Sequence, residues 1–303
     1  MKSYTESRNT FGVDTKNTSS ANLTQGDQWM NDFHRRLLAK ADWPFLHRLR
    51  TATTVASTTF VNLPYDTDQV ESVFVTVGTT SYNPKPAPSR QFWDELHYSV
   101  QTSDTPEYWF VYNGQIGLWP RPATAGSIIS INGKIRVIDL NRADYTTGTI
   151  TTVATTAAVT TVTGSSVVWS TSMIGRWIRI TQTDAAATLV GDGVWYEIAS
   201  VPTSTTLTLV RLYGGTAIAA ATAAYTLGQM PLLPEAFNDL PEQYAAFRYW
   251  AKEKDERAGA FKEMLVDGVS TLFQTYGFSD LSMVLESGYG DDMIINPNLT
   301  LTL

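Results

Sequence analysis

Three histidines, His34, His47 and His97, are the imidazoles this 303-residue chain could offer to acid–base chemistry. A serine-type triad needs one of them oriented by an acid and facing a nucleophile, commonly on a Gly-x-Ser-x-Gly elbow. No such elbow occurs, and His34 and His47 stand among arginines in HRRLLAKADWPFLHRLR, where ordinary exposed histidines are expected. Paired carboxylates come next: Asp94 and Glu95 beside Trp93, and Asp291 with Asp292. Glycoside hydrolysis needs two acids facing each other across a bond, whereas sequence neighbours point in different directions on a helix or strand. Solvated surface acids are therefore expected at both places. Asp291 and Asp292 also lack the alternating oxygen ligands and glycine turn of a calcium loop. With no cysteine, a thiolate zinc site, a disulfide framework and a cysteine nucleophile are all excluded. The glycine groups GDGVW and GYGDD lack the following Lys-Ser/Thr of a phosphate-binding loop. No catalytic residue, cofactor or metal ligand is predicted, and the chain is expected not to be an enzyme.

One charge cluster is left unassigned. Arg35, Arg36, Lys40, Arg48 and Arg50 crowd into a short stretch of a chain whose formal net charge is -7 and whose pI is about 5.0. Nucleic-acid affinity driven by counterion release from the whole protein is excluded by that balance, so any such contact must be local. The cluster is a possible charged interface, towards phosphate or an acidic partner, or else a solvated helix face or a set of inter-subunit ion pairs. The N-terminal MKSYTESRNT lacks the apolar run of a signal peptide, and AIAAATAAYTL is too short to span a bilayer. A soluble protein made in the cytoplasm, with no membrane partner, is expected.

The elements that would carry these residues divide the chain into five stretches. Residues 1–22 are polar, show neither strand nor helix period, and read as an N-terminal arm without its own core. Residues 23–145 read as the first part of a core of helices and β-hairpins. Its helix starts near Thr24, with Asp27 completing a capping box, carries Met30, Phe33, Leu37 and Ala41 on one face, and stops at Asp42-Trp43-Pro44. Strand runs follow around Phe60 and from Gln69, then a short helix over 91–100 and two Asn-Gly hairpins, at Asn113-Gly114 and Asn132-Gly133. Residues 146–229 turn Thr-rich and nearly uncharged, with short alternating runs between glycines, the pattern of an inserted all-β sandwich or barrel; the Ala-rich run from Ala217 is taken as its last strand. Residues 230–277 return to helix, with Pro241 in a first turn and Gly277 as a left-handed cap. The fold class is thus α+β, with a helical core, β-hairpins, an inserted β domain and extended termini.

Residues 278–303 hold Asp280, Glu286, Asp291 and Asp292 but no basic residue, together with apolar side chains that include Ile294 and Ile295. The chain then runs to NPNLTLTL, where Leu299, Leu301 and Leu303 would share one face of a strand and leave its backbone edges to be paired. Main-chain pairing on a partner's sheet, with alternate side chains supplying fit, is the expected use of these five positions.

The order of segments, an N-terminal helix ending in ADWPFL, then TTTFVNLPYDTDQVESVFV, QFWDEL, hairpins, and helices around YAAFRYWAKEKDERAGAFKEML, resembles the head-to-tail adaptor, or connector, proteins of tailed bacteriophages. The likeness spans about 24–139 and 232–277, with Trp43-Pro44-Phe45-Leu46 and Leu63-Pro64 as its most recognisable points. It implies a virion protein of the neck, between capsid portal and tail. It also implies a ring of about twelve copies whose head-to-tail contacts need complementary patches. The implied partners are the portal protein, tail tube or nozzle proteins, other copies of the chain, and genomic DNA passing through the lumen without sequence-specific binding. An alternative expectation is a tail-associated protein that binds host glycan through Trp169, Trp177, Trp195 or Tyr196 of the inserted domain.

Overall fold

The computed structural model describes residues 1–277 apart from 65, 157, 185–190 and 220–221, together with two later strands at 282–285 and 293–296; for 182–184 and those two strands only the backbone is described. The fold is α+β. The chain begins with helices α1 (Tyr4–Asp14) and α2 (Ser20–Leu38), followed by strands β1 (His47–Thr53), β2 (Phe60–Asn62), β3 (Thr67–Val77), β4 (Thr80–Tyr82) and β5 (Lys85–Pro86). Helix α3 (Arg90–His97) then leads to β6 (Tyr108–Tyr112), β7 (Gln115–Trp119) and β8 (Ile128–Ile135). The inserted domain comprises β9 (Thr149–Thr155), β10 (Thr160–Ser165), β11 (Trp177–Asp184), β12 (Trp195–Thr203), β13 (Thr206–Leu209) and β14 (Ala223–Gly228). Helices α4 (Leu240–Lys252) and α5 (Arg257–Thr275) follow, and β15 (Ser282–Leu285) pairs antiparallel with β16 (Met293–Asn296). Two units emerge: residues 1–41 with 139–303, and residues 42–138.

In the first unit the inserted domain closes as a barrel in the order β10-β13-β12-β11-β14-β9, which settles the sandwich-or-barrel choice. Period-2 alternation underlies this closure: Ile150, Val153, Val162, Ile178, Ile198, Leu207 and Leu227 are essentially fully buried, while most of the threonines between them, Thr160 apart, are partly or fully exposed. Ala223–Gly228 is indeed strand, and Ile218 of the Ala-rich run bridges Val153. The helices form a second core in which Tyr4 and Phe11 of α1 meet Met30 of α2 and Ala245 and Ala246 of α4.

Residues 1–22 depart from the expected coreless arm, since Ser3 caps α1 and Phe11 is wholly buried. The helix buries few apolar side chains, chiefly Tyr4 and Phe11, and its start is held by polar contacts, so there is no hydrophobic period to find. Helix α2 likewise begins earlier than expected: Ser19 is its N-cap, its Oγ accepting the Asn22 N–H at 3.4 Å, and Thr24 lies inside the helix with its hydroxyl on the Ser20 carbonyl. The helix pair α4 and α5 follows expectation, with Pro241 in the first turn and Gly277 at φ 78° past the end.

The second unit packs two sheets, β1-β8-β3-β4 and β2-β7-β6-β5, around Val73, Val75, Ile129, Ile131, Ile116, Leu118 and Trp109. Asn113-Gly114 makes the expected tight turn, both residues at positive φ between β6 and β7. Asn132-Gly133 does not. Both residues lie inside β8, where Gly133 pairs with Arg48 on one side and Val70 on the other. A Cβ at Gly133 would stand 2.0 Å from the Gln69 carbonyl oxygen, because β3 bulges towards it between Val70 and Ser72. Glycine here serves close backbone approach within a sheet, the other use of the residue in a strand pattern. Gly133→Ala must move backbone rather than a flexible side chain, so a loss on the order of 2–4 kcal/mol is expected. A urea midpoint unchanged from the parent would show that the bulge is free to shift.

Candidate functional site

The three histidines occupy three different settings. His34 is fully buried, contrary to the exposed position expected from its arginine neighbours. Helical spacing explains the difference: Met30 precedes it by one turn and Leu38 follows by one, so His34 lies on the core face while Arg35 and Arg36 turn to solvent. Its Nε2 accepts the Leu232 N–H at 2.9 Å, and burial lowers its pKa to about 4. In the other unit, both ring nitrogens of His47 are engaged, Nε2 with Asp42 at 3.0 Å and Nδ1 with Glu71 at 2.9 Å. The two carboxylates raise the pKa of His47, and Lys134, 3.1 Å from the same Asp42 oxygen, helps hold Asp42 low. His97 is stacked on Trp93 and tilted against Phe60, within an aromatic packing.

The paired carboxylates fare no better as acid–base partners. Asp94 and Glu95 are exposed on α3, Asp94 towards Arg90 and Glu95 towards Gln91. Asp291 and Asp292 lie outside the described residues. Among the described residues there is no group of three or more His, Asp or Glu arranged to hold a metal ion.

The basic stretch does not form one patch. Arg35, Arg36 and Lys40 are exposed at the end of α2 in one unit, with Arg35 paired to Asp32 and Asp139 at 3.1 and 3.3 Å. Arg48 and Arg50 are half-buried on β1 in the other unit, and Arg50 grips Asp66 through Nε and Nη2 at 2.9 and 2.6 Å. The barrel aromatics are structural as well. Trp169 is only 2% exposed and donates from Nε1 to the Tyr225 hydroxyl at 3.1 Å. Trp195 is buried beneath the Arg179 guanidinium, Tyr196 is buried with its hydroxyl on Asp192, and Trp177 is half-buried. None of the four forms an exposed platform for a sugar ring.

Two surfaces that sequence reasoning missed are more informative. The first is a polar clasp made by the chain's opening residues. The Ser3 hydroxyl donates to Asp144 at 2.7 Å, the Tyr4 N–H to the Gln229 carbonyl at 2.7 Å, and the Lys2 N–H to Asn238 at 3.0 Å. The Lys2 ammonium pairs with buried Glu242, and Glu6 with Arg179 at 2.8 Å. Burial raises the pKa of both Asp144 and Glu242. The signal was present as Ser3-x-x-Glu6, a capping box that the structure realises in full. The second surface is strand β1, which among the described residues pairs with β8 alone and leaves Leu49 58% exposed. Of the five expected partner-binding positions, Ile294 and Ile295 belong to β16, whose side chains are not described, and Leu299, Leu301 and Leu303 lie outside the described residues.

Comparison with known proteins places a family model described as SU10 adaptor protein on residues 3–133. The match begins in the clasp, runs through α1 and α2, and ends within β8, so it leaves out the barrel and the last two helices. Over that span, less than half of its length, the chain is similar to a phage adaptor-type family, a likeness consistent with a structural role in a virion. No curated protein matches the chain. No helix among the described residues is long and apolar enough to cross a membrane.

The buried imidazole of His34 makes stability pH-dependent in a defined direction. The unfolded chain, whose histidine titrates near 6.5, takes up the proton before the folded one, which resists it to about 4. This contribution is therefore complete above pH 6.5 and is lost as pH falls towards 4, a change on the order of 3 kcal/mol. Asp144 and Glu242 act in the opposite sense, so the effect is read as a difference. Urea midpoints of the parent are expected to fall more steeply over that range than those of His34→Gln. Parallel pH profiles would rule the assignment out.

Proposed function

We propose that this chain is a structural virion protein, a head-to-tail adaptor that forms a ring under the portal, joins the capsid to the tail and lets DNA pass. The observation that carries the reading is the adaptor-family match over residues 3–133. Two features of the fold support it. The side chains with catalytic potential are tied up in ion pairs, core packing or solvent-facing positions, and the acidic chain has its basic stretch split between two units. An overall charge of -7 disfavours adhesion to DNA phosphates, as a conduit for DNA requires. In this reading the ring contains about twelve copies in head-to-tail contact. Its partners are the portal on one side and tail tube or nozzle proteins on the other, and it resides in the virion neck after synthesis in the host cytoplasm. The stretches 23–145, 146–229, 230–277 and 278–303 are proposed as an adaptor core interrupted by a barrel, its completing helices and a C-terminal docking segment. Residues 1–22, expected as an arm, carry α1 and the start of α2 and pack with that core. Leu299, Leu301, Leu303, Ile294 and Ile295 are proposed as the gripping residues, and Arg35, Arg36, Lys40, Arg48 and Arg50 as charged interface residues.

The glycan-binding alternative has less to rest on, because three of its four aromatics, Trp169, Trp195 and Tyr196, are buried and only Trp177 is half-exposed. Native mass measurement and capture on purified portal test the proposal together. The full-length chain is expected to form a discrete ring, alone or on portal, and a version ending at Gly277 is expected to lose portal capture at least tenfold. A full-length chain that stays monomeric with portal present sinks the adaptor reading, and undiminished capture by the shortened chain sinks the docking role of residues 278–303.

A further inference from the structure

The bulge in β3 re-aims one side chain. Val70 pairs with Gly133 and Ser72 with Asn132, so Glu71 is the extra residue and has no partner directly opposite on β8. Its carboxylate instead reaches past β8 to His47, the first residue of β1, and stands 2.9 Å from the ring Nδ1. From the other side an Asp42 oxygen stands 3.0 Å from Nε2. That same oxygen lies 3.1 Å from the ammonium of Lys134, the residue paired with His47 in the ladder between β1 and β8. Three strands and the segment that leads into β1 thus meet at one imidazole, all within the unit of residues 42–138.

An ionised carboxylate only accepts hydrogen bonds, and a neutral imidazole has a single N–H to give. With a carboxylate at each nitrogen, the neutral ring would serve one of them and turn its lone pair on the other, about 3 Å away. The arrangement is therefore one for the imidazolium. The charged groups that face His47 are Asp42 from the entering segment, Glu71 from β3 and Lys134 from β8, while Arg48, the next residue on β1, alternates to the opposite face. Charges of the four balance while the ring is protonated, and loss of one proton leaves an excess negative charge. One contact must then give way.

We propose that Asp42, His47, Glu71 and Lys134 form a pH-sensitive clamp on the chain where it enters β1, closed while the His47 ring holds two protons and opened on its Asp42 side when one is lost. Asp42 is the side that opens because it keeps Lys134, whereas the neutral ring still donates one N–H to Glu71. Closed, the clamp ties residues 42–46 to β8 and β3; open, it leaves them held by Trp43 and Leu46, which are buried in the core. The two carboxylates raise the pKa of His47 above the 6.5 of the unfolded chain. The stability that the clamp contributes is therefore complete below pH 6.5 and is lost as pH rises through the raised value. His34 acts in the opposite sense and over a lower range, so the two histidines are separable.

Ring proton–nitrogen NMR spectra of the full-length chain follow each histidine with pH, and the signal missing in His47→Gln identifies His47. Its midpoint is expected above 6.5 and is expected to fall in both Glu71→Gln and Asp42→Asn. A midpoint at or below 6.5, or one that neither substitution moves, overturns the proposal. Amide exchange then separates a switch from a static ion pair, with the Leu46 N–H, bonded to the Trp43 carbonyl at 3.0 Å, as the probe. Corrected for the intrinsic rise of exchange with pH, its protection is expected to drop about threefold or more between about pH 6 and pH 9, and to stay level in His47→Gln. The same drop in both proteins, or no drop in the parent, overturns the clamp.

Discussion

The first unit depends on a constraint at the base of the barrel, where the chain enters at Tyr145 and leaves at Leu227. These two residues exchange backbone hydrogen bonds at 2.9 Å in each direction, and the buried Arg176 guanidinium donates to the Ala143 and Leu227 carbonyls at 2.7 and 2.9 Å. An inserted domain joined by two unpinned strands would swing freely; here entry and exit are locked together. The clasp builds on that lock, because Ser3 reaches Asp144 beside the entry strand and Tyr4 reaches Gln229 beside the exit. Lys2 then carries the connection to Asn238 and Glu242 at the start of α4. Stretches around 144, 229 and 238–242, each more than a hundred residues further along the chain, are thus held by residues 2–4. The side-chain contacts are polar and part-buried, with Asn238 and Glu242 the most enclosed of the partners.

That architecture explains why some of the fold was legible and some was not. Strand alternation in the barrel and the apolar stripe of α5 are patterns of burial, and burial is what composition and period report. Leu265, Val269, Leu272 and Phe273 were readable for that reason. The clasp has no apolar period, and its partners lie at 144, 229, 238 and 242, so nothing local announces them beyond Ser3 and Glu6. His34 was misread because arginines adjoin it in sequence, although on a helix the residues four apart are the true neighbours. Asn132-Gly133 was misread because a dipeptide does not distinguish a turn from a site of close backbone approach. Only the bulge in β3, a property of the partner strand, makes the difference.

Charge leads to a further step about how such a chain can recognise anything. Several of its cations are paired close to home: Arg8 with Asp27, Arg50 with Asp66, Lys134 and His47 with Asp42, Arg179 with Glu6 and Arg257 with Asp255. The surplus of carboxylates leaves a net negative field within about a Debye length of the surface, which disfavours phosphate and other copies of the chain alike. Association against such a field must be won at short range, by contacts that need exact placement. Exposed apolar side chains are scattered over the surface, as is ordinary for a folded protein, and single residues of that kind do not specify a partner. Backbone edges add a directional requirement, because their donors and acceptors alternate at a fixed spacing, and the side-chain pattern then sets the register. Among the described residues, β1 is the longest strand that lies at a sheet edge, the kind of feature that proteins usually keep short.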